Sequence, residues 1–387
     1  MPDHSAAYVG TAFVAGVCLA FAYQELSRPR HEDNVTEQVS PTSGLIARPG
    51  PPSIVEGIEG CIGNTPLFRI KSLSDETGCE ILGKAEFLNG AGQSSKDRVA
   101  LSMIEIAEEE GILTPHSGDT IYEGTSGSTG ISLATLARAK GYLAHICLPS
   151  DQAIEKSNLL LKLGAIVDRV PPAPIVEKDN FVNRARALAK THTASSGIPS
   201  ASAEEQSDLP AADDRMTRGR GFFADQFENE ANWRAHYEGT GPELYAQCGG
   251  RIDAFVAGAG TGEEGTRRRR QVDTIVEGIG INRVTANFEA GKELIDDAVR
   301  VTDAQALAMA RWLVEKDGIF IGSSSAVNCI AAVKTARKLG PGHRIVTVLS
   351  DSGSRHLSRF WAKAGDVGGA VDTKLEDVMN ARDEDFQ

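Results

Sequence analysis

The sequence predicts an α/β fold built on a doubly wound parallel sheet, and three observations carry that prediction. From Ile54 onward, short apolar runs of strand length alternate with amphipathic stretches of helical period, which implies right-handed crossovers and a sheet covered on both faces. Glycine- and hydroxyl-rich turns fall directly after strands and open helices, where such a sheet gathers its ligands. At 387 residues the chain suits one or two domains, with ample material for a core.

Residues 1–30 form a separate object. Tyr8 to Tyr23 is an uncharged apolar run of sixteen residues, slightly short of the roughly 17–25 that span a bilayer. Glu25, Arg28 and Arg30 follow it, and no basic leader precedes it. The run reads as a membrane anchor or targeting segment rather than a cleaved secretory signal, with the cations behind it favouring a cytoplasmic-side catalytic part. Residues 31–53 are polar, rich in Pro, Ser and Thr, and form a linker.

Asn89 to Arg98 reads Asn-Gly-Ala-Gly-Gln-Ser-Ser-Lys-Asp-Arg. Its glycines bend the chain, and Ser94 or Ser95 can accept from the first free N–H groups of a helix. Val99, Ala100, Met103, Ile104 and Ala107 then recur at helical spacing until Gly111. Lys96 therefore lies in the first turn, where the positive helix terminus disfavours a cation. That position lowers the cost of losing the proton and prepares the amine to form a Schiff base with an aldehyde.

Strand Thr120 to Glu123, loop Gly124 to Gly130 and helix Ile131 to Lys140 come next, followed by strand Ala144 to Leu148, helix Gln152 to Leu163 and strand Ile166 to Val170. Residues 194–220 are rich in Ser, Ala and Asp with no apolar face, and read as a surface insertion. Order resumes at Gly221-Phe222-Phe223. Strand Ala254 to Ala257, helix Asp303 to Lys316, strand Ile319 to Ile321, helix Val327 to Lys338 and strand Arg344 to Leu349 complete the region, and an acidic tail occupies 366–387.

Three loops fall at the carboxyl ends of strands. Thr125-Ser126-Gly127-Ser128-Thr129-Gly130 offers four hydroxyls and several N–H groups at a helix start, a cradle for a carboxylate or phosphate. Gly258-Ala259-Gly260-Thr261-Gly262 has the form of an anion-binding turn, and Gly322-Ser323-Ser324-Ser325 opens the late helix. Together with the lysine they describe a site for a phosphorylated aldehyde cofactor.

Asn-x-x-Gly-x-Ser-x-Lys-Asp-Arg followed by Thr-Ser-Gly-x-Thr-Gly, Gly-Thr-Gly and Gly-x-Ser-Ser resembles the pyridoxal-phosphate enzymes of fold type II, the two-domain fold of the tryptophan synthase β type. Within them the chain is similar to the cysteine synthase (O-acetylserine sulfhydrylase) family, whose motifs Gly63-Asn64-Thr65-Pro66-Leu67 and Gly239-Thr240-Gly241-Pro242-Glu243 match. With its N-terminal run it most resembles the fungal mitochondrial cysteine synthase 2 group. The similarity covers Ile54 to Lys363.

The resemblance implies a pyridoxal-phosphate-dependent catalytic region over 54–365, with a smaller domain at about 97–190 and the larger one from the flanking parts. It makes Lys96 the residue that holds pyridoxal 5'-phosphate as a Schiff base. Thr125, Ser126, Gly127, Thr129 and Gln226 would grip the substrate carboxylate. Gly258, Gly260, Thr261 and Gly262 would cradle the cofactor phosphate, and Ser324 would face the pyridine nitrogen without holding it protonated. Ser128 stands near the cofactor's 3-hydroxyl, where the family usually has an asparagine. The implied reaction is β-replacement: Lys96 takes the α-proton of O-acetyl-L-serine, acetate leaves to give an aminoacrylate, and sulfide adds to give L-cysteine. A homodimer on a mitochondrial membrane, the outer one preferred, follows from the same resemblance. A cytoplasmic location is the alternative.

One departure is large. Only nine residues, all polar or glycine, separate Gly262 from Val272, whereas a parallel crossover needs about a dozen or more. A βαβ unit of roughly thirty residues is expected to be missing, so a non-catalytic membrane relative is the alternative of another class. Cystathionine β-synthase and serine/threonine dehydratase are the alternatives within the chemistry.

The remaining features exclude more than they suggest. Forty Lys plus Arg against 53 Asp plus Glu give a net charge of −13, which argues against nucleic-acid binding despite the run Arg267 to Arg270. Six cysteines without metal spacing read as free thiols, and no metal is expected. His145 on an apolar strand reads as a satisfied core histidine, and His236 beside Trp233 and Tyr237 as structural. Asp351-Ser352-Gly353-Ser354 either borders the cofactor or caps a helix.

Overall fold

The computed structural model describes residues 6–9, 54–195, 219–258, 274–279, 284–367 and 373–386. Ten strands are present among them: β1 (Ala6–Val9), β2 (Leu67–Arg69), β3 (Glu80–Ala85), β4 (Thr120–Gly124), β5 (Leu143–Pro149), β6 (Ile166–Val170), β7 (Gly221–Phe223), β8 (Ala254–Val256), β9 (Val299–Thr302) and β10 (Arg344–Leu349). The principal helices are α1 (Lys71–Thr77), α2 (Lys96–Glu109), α3 (Ser128–Lys140), α4 (Ile154–Lys162), α5 (Phe181–Ser195), α6 (Gly241–Gln247), α7 (Asp303–Asp317), α8 (Ser323–Leu339) and α9 (Leu375–Met379).

The strands form two four-stranded sheets, ordered β2-β3-β10-β8 and β6-β5-β4-β7, and a two-stranded pair of β1 with β9. All pairs in the large sheets are parallel except β2 with β3. This matches the expected alternation: β4-α3-β5-α4-β6 is two consecutive crossovers, and the inner strand β5 reads as a mostly apolar run because both its faces are covered, while the edge strand β6 carries the part-exposed Asp168 and Arg169. One core packs α7 and α8 against the first sheet through Leu313, Ile330, Val333 and Ile345; a second packs α2 and α3 against the other sheet through Val99, Met103, Leu133 and Ile146.

Four readings change. Ile319 to Ile321 is not a strand; only Ile321 bridges, to Ser352, because Gly318 closes α7 and Gly322 already caps α8, leaving no room for a ladder. Helix α5 occupies a stretch with no expected element. The tail is more than acidic: Leu375, Val378 and Met379, at i, i+3 and i+4, bury against the first core. Tyr8 and Val9 belong to β1, antiparallel to β9, while the rest of the expected anchor lies outside the described residues. Among the described residues no helix is long and apolar enough to cross a membrane. Positions 196–218 of the insertion, the arginine run, and Gly260, Thr261 and Gly262 also lie outside them.

Candidate active site

Lys96 is the first residue of α2. Ser94, not Ser95, provides the side-chain contact, its Oγ accepting from Lys96 N at 3.3 Å. Lys96 Nζ takes part in no hydrogen bond or ion pair among the described residues, and burial lowers its pKa against the opposing pull of the Asp351 and Glu86 carboxylates. The next residue, Asp97, is fully buried and ties the preceding loop down, its Oδ1 accepting from Gly92 N (2.8 Å) and Ser132 Oγ (2.5 Å).

The predicted carboxylate loop is assembled as a unit. Strand β4 delivers Thr125, whose N–H donates to Cys147 O of β5 (3.0 Å) and whose Oγ1 accepts from Gly127 N (3.1 Å). Gly127 has φ of +140°, and a Cβ there would come within 2.3 Å of the Lys156 side chain, so no other residue type fits. Thr129 Oγ1 donates to Gln226 Oε1 at 2.6 Å, and Gln226 Nε2 reaches Glu123 Oε1 (3.1 Å) and Gly124 O (3.2 Å). Glu123 is buried and beside Asp225, both of which push its pKa up, against the pull of the hydrogen bonds it accepts from Gln226. Asn232 and Asn287 each donate to Gln226 O and fix its backbone.

Ser128 Oγ lies 3.5 Å from Asp351 Oδ2. Ser324, in the first turn of α8, has a hydroxyl with no hydrogen-bond partner among the described residues, while its neighbours are committed: Ser323 accepts from Glu277 N and Ser325 from Ser350 N. Gly258 N donates to Asn328 Oδ1 at 2.6 Å.

Sequence reasoning missed two charged networks that hold these parts together. In the first, Arg98 Nε and Nη2 grip Glu86 (2.8 and 2.9 Å), Nη1 and Nη2 grip Glu243 (2.6 and 2.8 Å), and Lys84 Nζ reaches Glu243 Oε2 at 2.6 Å. Asn64 N and Thr65 Oγ1 close it from the Gly63–Leu67 motif. Arg98 and Lys84 draw the Glu243 pKa down to about 2 against the opposing effect of burial. The network explains why three separated motifs occur together. Its signal was a set of charges inside otherwise apolar or glycine-rich segments.

In the second, Asp351 follows the last strand close enough for its charge to act on Lys96, while Ser352 caps the turn behind it through Ser354 N. His356 Nε2 is 3.0 Å from Asp351 Oδ2 and its Nδ1 is 3.4 Å from Glu277 Oε2; Lys156 pairs with Glu277 and donates to Ser126 O at 3.3 Å. A buried chain of charges thus runs from the lysine to the carboxylate loop. His236 is buried near enough to Lys96 and Arg98 for both cations, after burial itself, to hold its pKa down, and its Nδ1 is 3.0 Å from Thr240 Oγ1.

The sequence profile of the family described as pyridoxal-phosphate dependent enzyme matches residues 58–266 and 263–351. A cysteine synthase 2 of Emericella nidulans is 70% identical over 437 aligned positions that take in 99% of this chain and 100% of the relative. A Saccharomyces cerevisiae protein described provisionally as a mitochondrial cysteine synthase is 44% identical, covering 84% of this chain and 88% of its own. Among solved structures an O-ureido-L-serine synthase superposes with a TM-score of 0.68 at 28% identity, covering 82% of this chain and 98% of that one.

Proposed function

The chain belongs to the pyridoxal-phosphate dependent enzymes, and from that premise we propose that it is a cysteine synthase, replacing the acetoxy group of O-acetyl-L-serine by sulfide to give L-cysteine and acetate. The observation that carries the reading is the Lys96 amine, without a hydrogen-bond or ion-pair partner among the described residues and lowered in pKa by burial, in a chain whose hydroxyl loop is already tied to Gln226. The residues fit the cofactor: a desolvated amine suits its aldehyde, and the uncommitted Ser324 hydroxyl suits a pyridine nitrogen that is left unprotonated. Bound pyridoxal phosphate would supply the electron sink for loss of the α-proton and the β-substituent.

The protein's own groups do the rest. Lys96 holds the cofactor and, once displaced by the amino acid, accepts its α-proton at Nζ. Thr125, Ser126, Gly127 and Thr129 bind the substrate carboxylate, with Gln226 orienting Thr129. Ser128 and Ser324 contact the cofactor ring, and Gly258, Gly260, Thr261 and Gly262 its phosphate. Closure of the carboxylate loop excludes water from the reacting carbon. We place these groups between a smaller domain at about 97–190 and a larger one, in a homodimer. The yeast relative supports a mitochondrial location, with residues 1–30 as a membrane anchor or targeting segment.

One observation favours a second reading, an impaired relative that does not turn over substrate. The Emericella nidulans match runs over 437 positions, at least 50 more than the 387 residues here, and the family profile breaks at 263–266. The relative therefore carries residues where this chain has none, more than the thirty expected. Titrating the purified protein with pyridoxal phosphate, then O-acetylserine, then sulfide separates the two readings. A visible absorption band that changes on the second addition, returns on the third and is missing in Lys96→Ala supports the synthase. A folded protein without the band supports the impaired relative.

A further inference from the structure

His145 is not the satisfied core histidine its strand suggests. Both ring nitrogens are shut off from solvent and neither has a hydrogen-bond partner among the described residues, which leaves a donor and an acceptor unmet in the interior. The nearby Tyr122, whose ring centroid lies 5.2 Å away, has its hydroxyl taken by His192 Nδ1 at 3.1 Å. Burial holds the His145 pKa down at about 4, so at neutral pH it is an uncharged imidazole, the form that ligates metals.

Two further donors share that face of the sheet. Cys147 is two residues along β5, and Asp168 is its Cα partner on β6. One nitrogen, one sulfur and one carboxylate oxygen from the three side chains lie within 4.8 Å of one another. A zinc tetrahedron with bonds of about 2.0–2.3 Å has edges of about 3.3–3.8 Å, so a small side-chain rotation closes the set. Strand β6 is a sheet edge and the Asp168 side chain is 23% exposed, which provides an entry path. Asp168 spends Oδ2 on Arg184 Nε and keeps Oδ1 available.

We propose that His145, Cys147 and Asp168 form a binding site for a divalent cation of the zinc class, remote from the Lys96 chemistry. The mixed nitrogen, sulfur and oxygen donors suit zinc and disfavour magnesium or calcium, which take oxygen ligands. Binding forms three metal–ligand bonds, leaves a fourth position for water, breaks the Cys147 S–H bond and passes that proton to the buffer; nothing is oxidised or reduced. Because a cysteine thiol is protonated at neutral pH, binding releases its proton and the affinity rises with pH. The site bears on the substrate loop through Cys147 O, which accepts the Thr125 N–H at 3.0 Å.

The test is equilibrium dialysis of the full-length protein, saturated with pyridoxal phosphate, against zinc chloride in a metal buffer from pH 6.5 to 8. One zinc per chain is expected, with affinity that rises with pH, and at least about 100-fold weaker binding in His145→Gln and Cys147→Ser. Should Cys147→Ser fail to fold by circular dichroism, Asp168→Asn on the half-exposed edge carries the same expectation. Arg184→Gln releases the second carboxylate oxygen and is expected to tighten binding severalfold, an effect that loss of a merely structural ion pair would not produce. No zinc bound by the parent protein, undiminished binding in the ligand variants, or binding in Arg184→Gln that stays the same or weakens would each overturn the site.

Discussion

Glu243→Gln tests whether the Arg98 network is what holds the Lys96 helix in place. The substitution keeps the shape and removes the charge that faces both Arg98 and Lys84, two cations whose side chains are 6% and 0% exposed. The fall of the Glu243 pKa from 4.5 to about 2 corresponds to about 3 kcal/mol of preference for the ionised folded state. Removing one partner of a buried pair independently gives about 3–5 kcal/mol. The expected loss at pH 7 is therefore about 3 kcal/mol, or roughly 6–12 °C in melting temperature at about 2–4 °C per kcal/mol. The sign fixes the pH dependence: a depressed carboxylate stabilises fully above its unfolded pKa of 4.5 and loses that contribution as pH falls toward 2. Urea denaturation of both proteins from pH 7 to 4 should show a constant gap down to about pH 5 and a narrowing gap below it. A gap under 1 kcal/mol at pH 7, or one that widens in acid, refutes the argument.

Three further predictions follow from the same geometry. Thr129→Val removes the donor to Gln226 and, on the proposed reading, one carboxylate contact; it should raise KM for the amino-acid substrate about 5–30-fold, the equivalent of about 1–2 kcal/mol, and lower the melting temperature by a few degrees in calorimetry because the buried Gln226 Oε1 loses its donor. Gly322→Ala would place a Cβ 2.1 Å from Asp351 Oδ1 and 2.6 Å from His356 Nε2; a loss of about 1–3 kcal/mol or more in chemical denaturation is expected, with weakened cofactor retention. His145, held near pKa 4 by burial, should show no titration of its ring resonances between pH 5.5 and 8, and a midpoint near 6.5 would contradict the buried, neutral assignment.

The sequence by itself determined the alternation of strands and helices, because apolar period and glycine stops are local properties, and it determined the motifs: Lys96 at a helix start, Thr125 to Thr129 after a strand, Ser324 at a late helix start. Each sits where expected because its turn chemistry is local as well. Short segments were less legible, as Ile319 to Ile321 shows, since three residues can pair only if the neighbouring caps leave them room. What the tertiary structure alone decided is which charges meet. Arg98 finds Glu243 across 145 positions and Lys156 finds Glu277 across 121. His145, Cys147 and Asp168 converge only because β6 pairs beside β5 in one register. Buried charges and donors are placed by long-range packing, and no local pattern in the chain encodes which partner a desolvated side chain will meet.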